Sequence, residues 1–538
     1  MSDTQSTTVN KGFLGWVEKT GNRLPDPVFI FFYLILFLVA VSVLCSLLGA
    51  TAPHPTQLDE SGNPIILKAK SLLSADNIQK LWVDMPKTFT HFHPIGYVLV
   101  VMLGAGVAER SGLFASAIKA ALRNAPKGLL TPTVALVAML SNHAADAGYV
   151  VMIPLAAIIF AAAGRHPLAG IACGFAGVSG GFSANIAPGQ LDALLYGITE
   201  AAYIGSSIDA GWSMNIAGNW WFIIAIMCIY LPIIWYVTDK IIEPKLGKWT
   251  PDKDSDMASY GEESKPLTEA QKKGLRHAGF AILGVCLLWA AMTFSPGTPL
   301  INEGACPAES AAIGKCASVS NYSPFFRSLV AGFMILFLAT GWFYGKAAGT
   351  IKNHKDLVEM MSEGMKDMGY YLVLMFAAAH FVAMFGWSNL GPISAIHGAD
   401  AIKSSGLPLP IVVGLIVLLA GVLNLFVGSA SAKWALLAPI LVPMLMLLGL
   451  SPDAATAVYR VGDGATNIIT PLMVYFPLVL VFAQRWTKSF GLGSLTAMMI
   501  PYSIWMLISG ILLVMAWIWL GWDFGPGAPA AIEIITNR

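Results

Sequence analysis

Apolar runs of membrane-crossing length alternate with short polar interruptions along almost the whole chain. The first run, Val28 to Leu48, is followed by runs from about Ile95 to Leu122, Trp220 to Val237, Ala278 to Phe294, Leu329 to Tyr344, Tyr370 to Trp387 and about Leu492 to Leu520. A helix needs about 20 apolar residues to cross a bilayer, so each predicts a transmembrane helix. Two other stretches behave differently. LLTPTVALVAML and AGYVVMIPLAAIIFAAA flank the polar SNHAAD, Ser141 to Asp146. Leu409 to Val427 and ALLAPILVPMLMLLGL flank GSASAKW, Gly428 to Trp434. Each predicts a re-entrant hairpin whose polar tip lies at membrane depth, where irregular backbone must be covered by protein or line a cavity. Each hairpin leads into a helix broken at an Asn-Ile step. One starts near Pro167 and breaks at GGFSANIAPGQ, Gly180 to Gln190; the other starts at Pro452 and breaks near GDGATNIITP.

Charge sets the topology, because basic residues mark the cytoplasmic side. Lys11, Lys19 and Arg23 precede the first run, Arg123 and Lys127 follow the second, and Arg165 follows the first hairpin. Loop 238–276 holds eight Lys or Arg among as many acids. Lys346, Lys352, Lys355 and Lys366 form another basic group, and Arg485 and Lys488 a last one. Residues 190–215 carry Asp192, Glu200 and Asp209 without a basic residue, so they lie outside or line a cavity. The two hairpins then open to opposite sides. The predicted fold is an all-α polytopic membrane protein of about nine transmembrane helices plus two re-entrant helical hairpins in an inverted repeat, with the N-terminus cytoplasmic and the C-terminus outside.

That pattern divides the chain into a tail (1–27), scaffold helices (28–128), and a first hairpin with its broken helix (129–215). Further scaffold follows (216–408), with cytoplasmic loop 238–276 and outer loop 296–324. The second hairpin with its broken helix (409–484) precedes the last helix and tail (485–538). Paired, Gly/Pro-interrupted segments at corresponding places in two halves point to the binding site of a secondary transporter.

Composition narrows the classes. Of 538 residues only 12% are charged and 56% hydrophobic, with mean hydropathy +0.67; a soluble domain is about 25% charged. A net charge of +1 gives no footprint for nucleic acid, so the expected partners are a small-molecule substrate and membrane lipid. The six cysteines lack metal-site spacing. Cys306 and Cys316 share one polar loop, which would close as a disulfide in an oxidising compartment, and both states stay open. GWFYGKA, Gly341 to Ala347, lacks Walker A spacing, so ATP is not the expected energy source. An ion channel would show a filter-like repeat, and an intramembrane enzyme HExxH or paired aspartates; none is evident.

RHPLAGIACGFAGVSGGFSAN, GSASAKWALLAPILVPMLML and YRVGDGATNIITPLMVYF are similar to characteristic segments of the AbgT family, the p-aminobenzoyl-glutamate transporters of bacteria. NRLPDPV and MMIPYS carry the resemblance nearly end to end. It implies nine transmembrane helices, two re-entrant hairpins and a homodimer in the inner membrane. It also implies uptake of p-aminobenzoyl-glutamate or, for some members, export of sulfonamide-type antimetabolites, with sodium or proton coupling. Its pocket residues fall on Asn424, Trp434, Pro452, Arg460 and Asp463, with Asp192 from the first repeat. The SNHAAD tip carries over no individual role.

The residues support two readings each. An arginine at the centre of a membrane helix costs about 2.5–3.5 kcal/mol on insertion scales, so Arg460 needs a reason. Its guanidinium suits a glutamate carboxylate bidentately. Arg460 and Asp463, at i, i+3, equally suit a structural ion pair, with Asp463 an ion- or proton-carrying group. Trp434 at the second tip either stacks on a p-aminobenzoyl ring or packs. Asn185 and Asn467 at the helix breaks, and Asn142 and Asp146 at the first tip, are candidate sodium ligands or helix caps, with protons the alternative coupling ion. His143 and His380 read as hydrogen-bonded structural residues.

Overall fold

The computed structural model describes residues 25–61, 63–123, 127–144, 148–206, 208, 212, 215–249, 266–294, 297, 299–301 and 323–532. Cys306, Cys316 and Asp146 lie outside the described residues.

The chain opens with α1 (Pro27–Leu47). Asp26 caps it, accepting from Val28 N at 2.8 Å, and Pro27 supplies a preset first turn. A β-hairpin follows, β1 (Thr51–Leu58) antiparallel to β2 (Pro64–Lys68), then short helices Ala75–Val83 and Met85–Thr90. The first half continues through α2 (His93–Arg110), α3 (Leu113–Arg123), α4 (Leu130–Leu140), α5 (Ile153–Ala162), α6 (Pro167–Phe175), α7 (Gln190–Gly205) and α8 (Trp220–Tyr236). The second comprises α9 (Glu269–Phe294), α10 (Ser323–Ala348), α11 (His354–Asp367), α12 (Gly369–Trp387), α13 (Leu390–Ser404), α14 (Leu409–Asn424), α15 (Ala430–Leu447), α16 (Pro452–Thr466), α17 (Phe476–Trp486) and α18 (Leu492–Leu520).

Among the described residues seven helices are long and apolar enough to cross a membrane: α1, α8 with its extension to Leu246, α9, α10, α12, α15 and α18. The pair α2 and α3 makes an eighth if counted together, but it bends by 63°. The run read as one helix to Leu122 is therefore two. Gly112 at the bend has φ +87°, a backbone conformation that ends a helix and that glycine adopts without strain.

Four further details differ from the sequence expectation. The loop after α1 carries a β-hairpin, so the described fold is not wholly helical. Residues 190–205, placed outside or lining a cavity and assigned no helix, form α7, and several of them do line cavities. The connection after α12 is itself a helix, α13. Helix α15, expected as the second arm of a re-entrant hairpin, is long enough to span by itself.

Both predicted interruptions are present. Helix α4 passes into a tight turn, Ser141–Ala144, and the chain resumes as a π-helical turn, Gly148–Met152, before α5. Helix α14 stops at Asn424, and α15 starts after Ser429, whose hydroxyl accepts from Ala432 N at 3.3 Å. Helix α6 widens into a π-helical turn, Ala176–Gly180, and the chain is non-helical from Ala184 until α7. Helix α16 ends at Thr466, and α17 begins at Phe476.

Helix α16 is the axle of the core, with every residue from Pro452 to Thr466 buried. A Cβ on Gly462 would lie 2.3 Å from the Val417 carbonyl oxygen, so α16 rests directly on α14. That contact fixes the height at which Arg460 and Asp463 face their neighbours.

Candidate functional site

Arg460 is 2% exposed and reaches across to the first half of the chain. Its Nη2 donates to Asp192 Oδ1 at 2.7 Å, and its Nη1 to Asn219 Oδ1 at 3.3 Å. Asp192 is held by its place in the first turn of α7, where its Oδ2 accepts from Gly189 N at 2.8 Å. One carboxylate thus caps a helix and neutralises an arginine. Asn219 is fixed in turn, donating to the Asp453 carbonyl at 2.9 Å. The pairing of Arg460 with Asp463, one of the two readings of the sequence, does not occur. The i, i+3 spacing allowed it, but Asp192 lies where the guanidinium points.

Asp463 has its own cation. Lys433, 2% exposed, forms an ion pair with Asp463 and donates to Asn424 Oδ1. Asn424 Nδ2 lies 2.8 Å from the Asp463 carbonyl oxygen, from Thr466 Oγ1 and from Asn467 Oδ1. Tyr459 OH donates to the Ala430 carbonyl at 2.7 Å and lies 3.2 Å from Asp463 Oδ1. This network ties the start of α15 to the end of α14 and the broken end of α16. The sequence analysis gave Lys433 no role. The available signal was a lysine inside an otherwise apolar hairpin.

The remaining candidates sit around these two centres. Trp434 is fully buried, stacks on Tyr459 with ring centroids 4.5 Å apart, and donates through Nε1 to Thr199 Oγ1 at 2.8 Å. Pro452 forms the first turn of α16, and its carbonyl accepts from Thr456 Oγ1 at 3.0 Å. Asn142 donates to the Met139 and Gly181 carbonyls at 3.0 and 3.2 Å. Asn185 donates to the Met139 carbonyl at 3.4 Å and accepts from Ile186 N at 3.0 Å. His380 Nδ1 lies 2.7 Å from the Phe376 carbonyl oxygen. His143 sits against Gly189, beside the break that leads to Asp192. Among the described residues no three His, Cys, Asp or Glu side chains converge as a metal site.

Two spaces adjoin these groups. Asp192, Tyr196, Asn219, Asp453, Thr456 and Arg460 surround a pocket of about 10 Å³, room for at most about one water. A second cavity of about 350 Å³ lies between the hairpin tips, touching Asn142 on one and Gly428 and Ala430 on the other. Asn467, Gln190 and the stacked pair Tyr149 and Tyr475, with centroids 4.3 Å apart, also line it. Pockets that bury small molecules begin at about 300 Å³ and are largely apolar with a few placed polar groups. The structure therefore separates the expected single site into a closed arginine pocket, a charged network and an apolar chamber.

The comparisons agree with this architecture. The AbgT putative transporter family matches residues 12–532. The p-aminobenzoyl-glutamate transport protein of Escherichia coli strain K12 is 35% identical over 532 residues, 98% of both chains. The solved Alcanivorax borkumensis YdaH transporter is 38% identical, with TM-score 0.83, over 93% of this chain and 100% of that one. The Neisseria gonorrhoeae MtrF structure, of a class of antimetabolite efflux pumps, is 37% identical, with TM-score 0.85, over 94% and 97%. These relatives are transporters and not enzymes, and this polytopic membrane chain belongs to the AbgT family.

Proposed function

We propose that the protein is an ion-coupled secondary transporter of p-aminobenzoyl-glutamate-like aromatic dicarboxylates, working by alternating access. The observation that carries this reading is Arg460: buried, matched by one carboxylate, with its Nε lacking any hydrogen-bond partner. An arginine offers five donors in a planar fork. Here the fork is incompletely used, as a site awaiting a second carboxylate requires. The substrate enters the chamber between the hairpin tips. Opening the small pocket lets a glutamate carboxylate displace Asp192 from Arg460, while the indole of Trp434, released from Tyr459, takes the aromatic ring.

The coupling ion is sodium in this reading, with protons the alternative. Asn467 and Asn185 at the two breaks, with Asn142 and Asp146 at the first tip, supply hard oxygen donors. Lys433 already places a cation beside Asp463 and Asn424, so an entering sodium ion competes with that ammonium. The membrane arrangement that goes with the reading is about nine spans with two re-entrant hairpins, in a homodimer in the bacterial inner membrane, N-terminus cytoplasmic and C-terminus periplasmic.

The second reading is export of sulfonamide-type antimetabolites. The apolar walls of the 350 Å³ chamber favour it, since they suit an aromatic ligand that carries no carboxylate. Radiolabelled p-aminobenzoyl-glutamate uptake into proteoliposomes tests the choice, under a sodium gradient or a pH gradient separately. We expect gradient-driven accumulation that falls to background in Arg460→Ala. Accumulation unchanged in that variant would remove the carboxylate role. No accumulation under either gradient, with folded protein confirmed, would leave the export reading.

A further inference from the structure

A larger basin lies away from both centres, at the end of the molecule where α12 and α7 finish and α2 starts. Its volume is about 590 Å³. Lys70, Lys80 and Lys87 contribute to its lining against a single acid, Asp84. All three lysines are exposed, and their ammonium groups have no partner among the described residues. The opposite wall is apolar: Ile204 from α7, and Val382, Ala383 and Trp387 from α12. The basin thus offers positive charge at one side and hydrocarbon surface at the other.

The basin is built into the fold. Lys70 N donates to the Ser388 carbonyl at 2.9 Å, and Asn389 Nδ2 to the Lys68 carbonyl at 2.9 Å, which pins the β-hairpin to the end of α12. Asn389 holds a left-handed backbone, φ 59°, to make that turn. Phe89 packs edge-on against Phe376 of α12 at 5.4 Å, fixing the short helix that bears Lys87. Beside the basin, the segment from Leu73 to Val83 turns Leu73, Trp82 and Val83 outward, 59%, 75% and 67% exposed. An amphipathic segment with such a face suits the membrane interface, with its apolar side toward acyl chains. Trp387 at the end of α12 fits the same depth, where tryptophans collect.

We infer that this basin is a binding site for an anionic phospholipid, its phosphate held by Lys70, Lys80 and Lys87 and an acyl chain laid along Ile204, Val382 and Ala383. Charge complementarity selects the head group, and the apolar wall at interface depth selects an amphiphile over a soluble anion. The site does not depend on which substrate the central chamber carries.

Full-length protein in detergent is equilibrated with phosphatidylglycerol or phosphatidylcholine, and retained lipid is counted by native mass spectrometry. Wild type retains one phosphatidylglycerol in preference to phosphatidylcholine. Lys70→Gln, Lys80→Gln and Lys87→Gln each weaken that retention about fivefold, from the attraction of one basic residue for an anionic surface. Ala383→Trp fills the chain-binding wall without altering charge and also lowers retention. Melting temperature and elution volume confirm that each variant is folded. Wild-type retention in the triple lysine variant, or in Ala383→Trp, overturns the assignment. Displacement of the lipid by inorganic phosphate or N-acetylglutamate also overturns it, and makes the basin a site for soluble anions.

Discussion

The two hairpin-and-break units share an outline and differ in what their polar side chains contact. In the first, side chains satisfy backbone. Ser141 Oγ donates to the Ala138 carbonyl at 2.7 Å, Asn142 to two carbonyls, and Asn185 to a third. In the second, side chains satisfy one another: Lys433, Asp463, Asn424, Asn467 and Thr466 form one buried network. Backbone carbonyls freed at a helix break must find donors in a water-poor interior, and neutral amides are enough for that. A buried lysine and aspartate are a costlier solution to the same problem. Among the described residues that lysine–aspartate pair stands in the second unit. The Arg460–Asp192 pair then joins the units, with one charge from each.

The comparison is broken most forcefully at the ion pair. Removing one partner of a buried pair leaves an uncompensated charge, at a cost of about 3–5 kcal/mol. Lys433→Met or Asp463→Asn should therefore lower the midpoint of thermal unfolding more than any change in the first unit. The double variant Lys433→Met/Asp463→Asn should recover most of the loss, because neither charge is then stranded. A double variant as unstable as the sum of the singles would show that the pair has no mutual dependence.

Asn424→Ala comes next. It removes the amide that contacts Lys433, Thr466 and Asn467, and unsatisfied buried groups cost about 1–3 kcal/mol. Its companion in the first unit, Asn142→Ala, loses two neutral hydrogen bonds from a half-buried side chain, about 1 kcal/mol in net terms. Equal unfolding midpoints for these two variants would erase the distinction between a side-chain network and a backbone brace.

A change outside both units sets the floor. Asp356 caps α11, its carboxyl held below the usual range by the backbone N–H groups of Lys352 and Asn353. A depressed folded pKa means that its stabilisation is present above the unfolded value and fades as pH falls through the folded one. Asp356→Asn should shift the unfolding midpoint slightly at neutral pH. The difference from wild type should shrink as pH falls below the ordinary carboxylate pKa and vanish only below the lower folded value. A difference that persists there would point to packing in place of charge.

Local pattern carried far into this fold. The run Val28 to Leu48 became Pro27–Leu47, and the final helix spans Leu492–Leu520. The first Ser-led interruption and both Asn-Ile breaks lie where the polarity pattern put them, whereas the second break falls at 425–429 and Ala430 to Trp434 already form the start of α15. The bend at Gly112 had a signal, the polar Glu109, Arg110 and Ser111 just before it, but the mostly apolar run on both sides let it be read as one helix. Helix α7 was obscured by its acids, Asp192 and Glu200, which placed the segment outside or along a cavity without indicating a helix. In the structure Asp192 caps the helix and Glu200 accepts from Tyr97 and Tyr196 at 3.0 and 3.2 Å.

By itself the sequence determined that the chain enters a membrane repeatedly, where its helices break, and that Arg460 and Asp463 lie in the apolar middle. Those properties follow from runs and periods a few residues long. Only the tertiary structure decided the partners. Arg460 meets Asp192, 268 positions away, and Asp463 meets Lys433 from the start of α15. Spacing along one helix can bring two side chains within reach, but a buried charge takes the counter-charge that packing delivers to it.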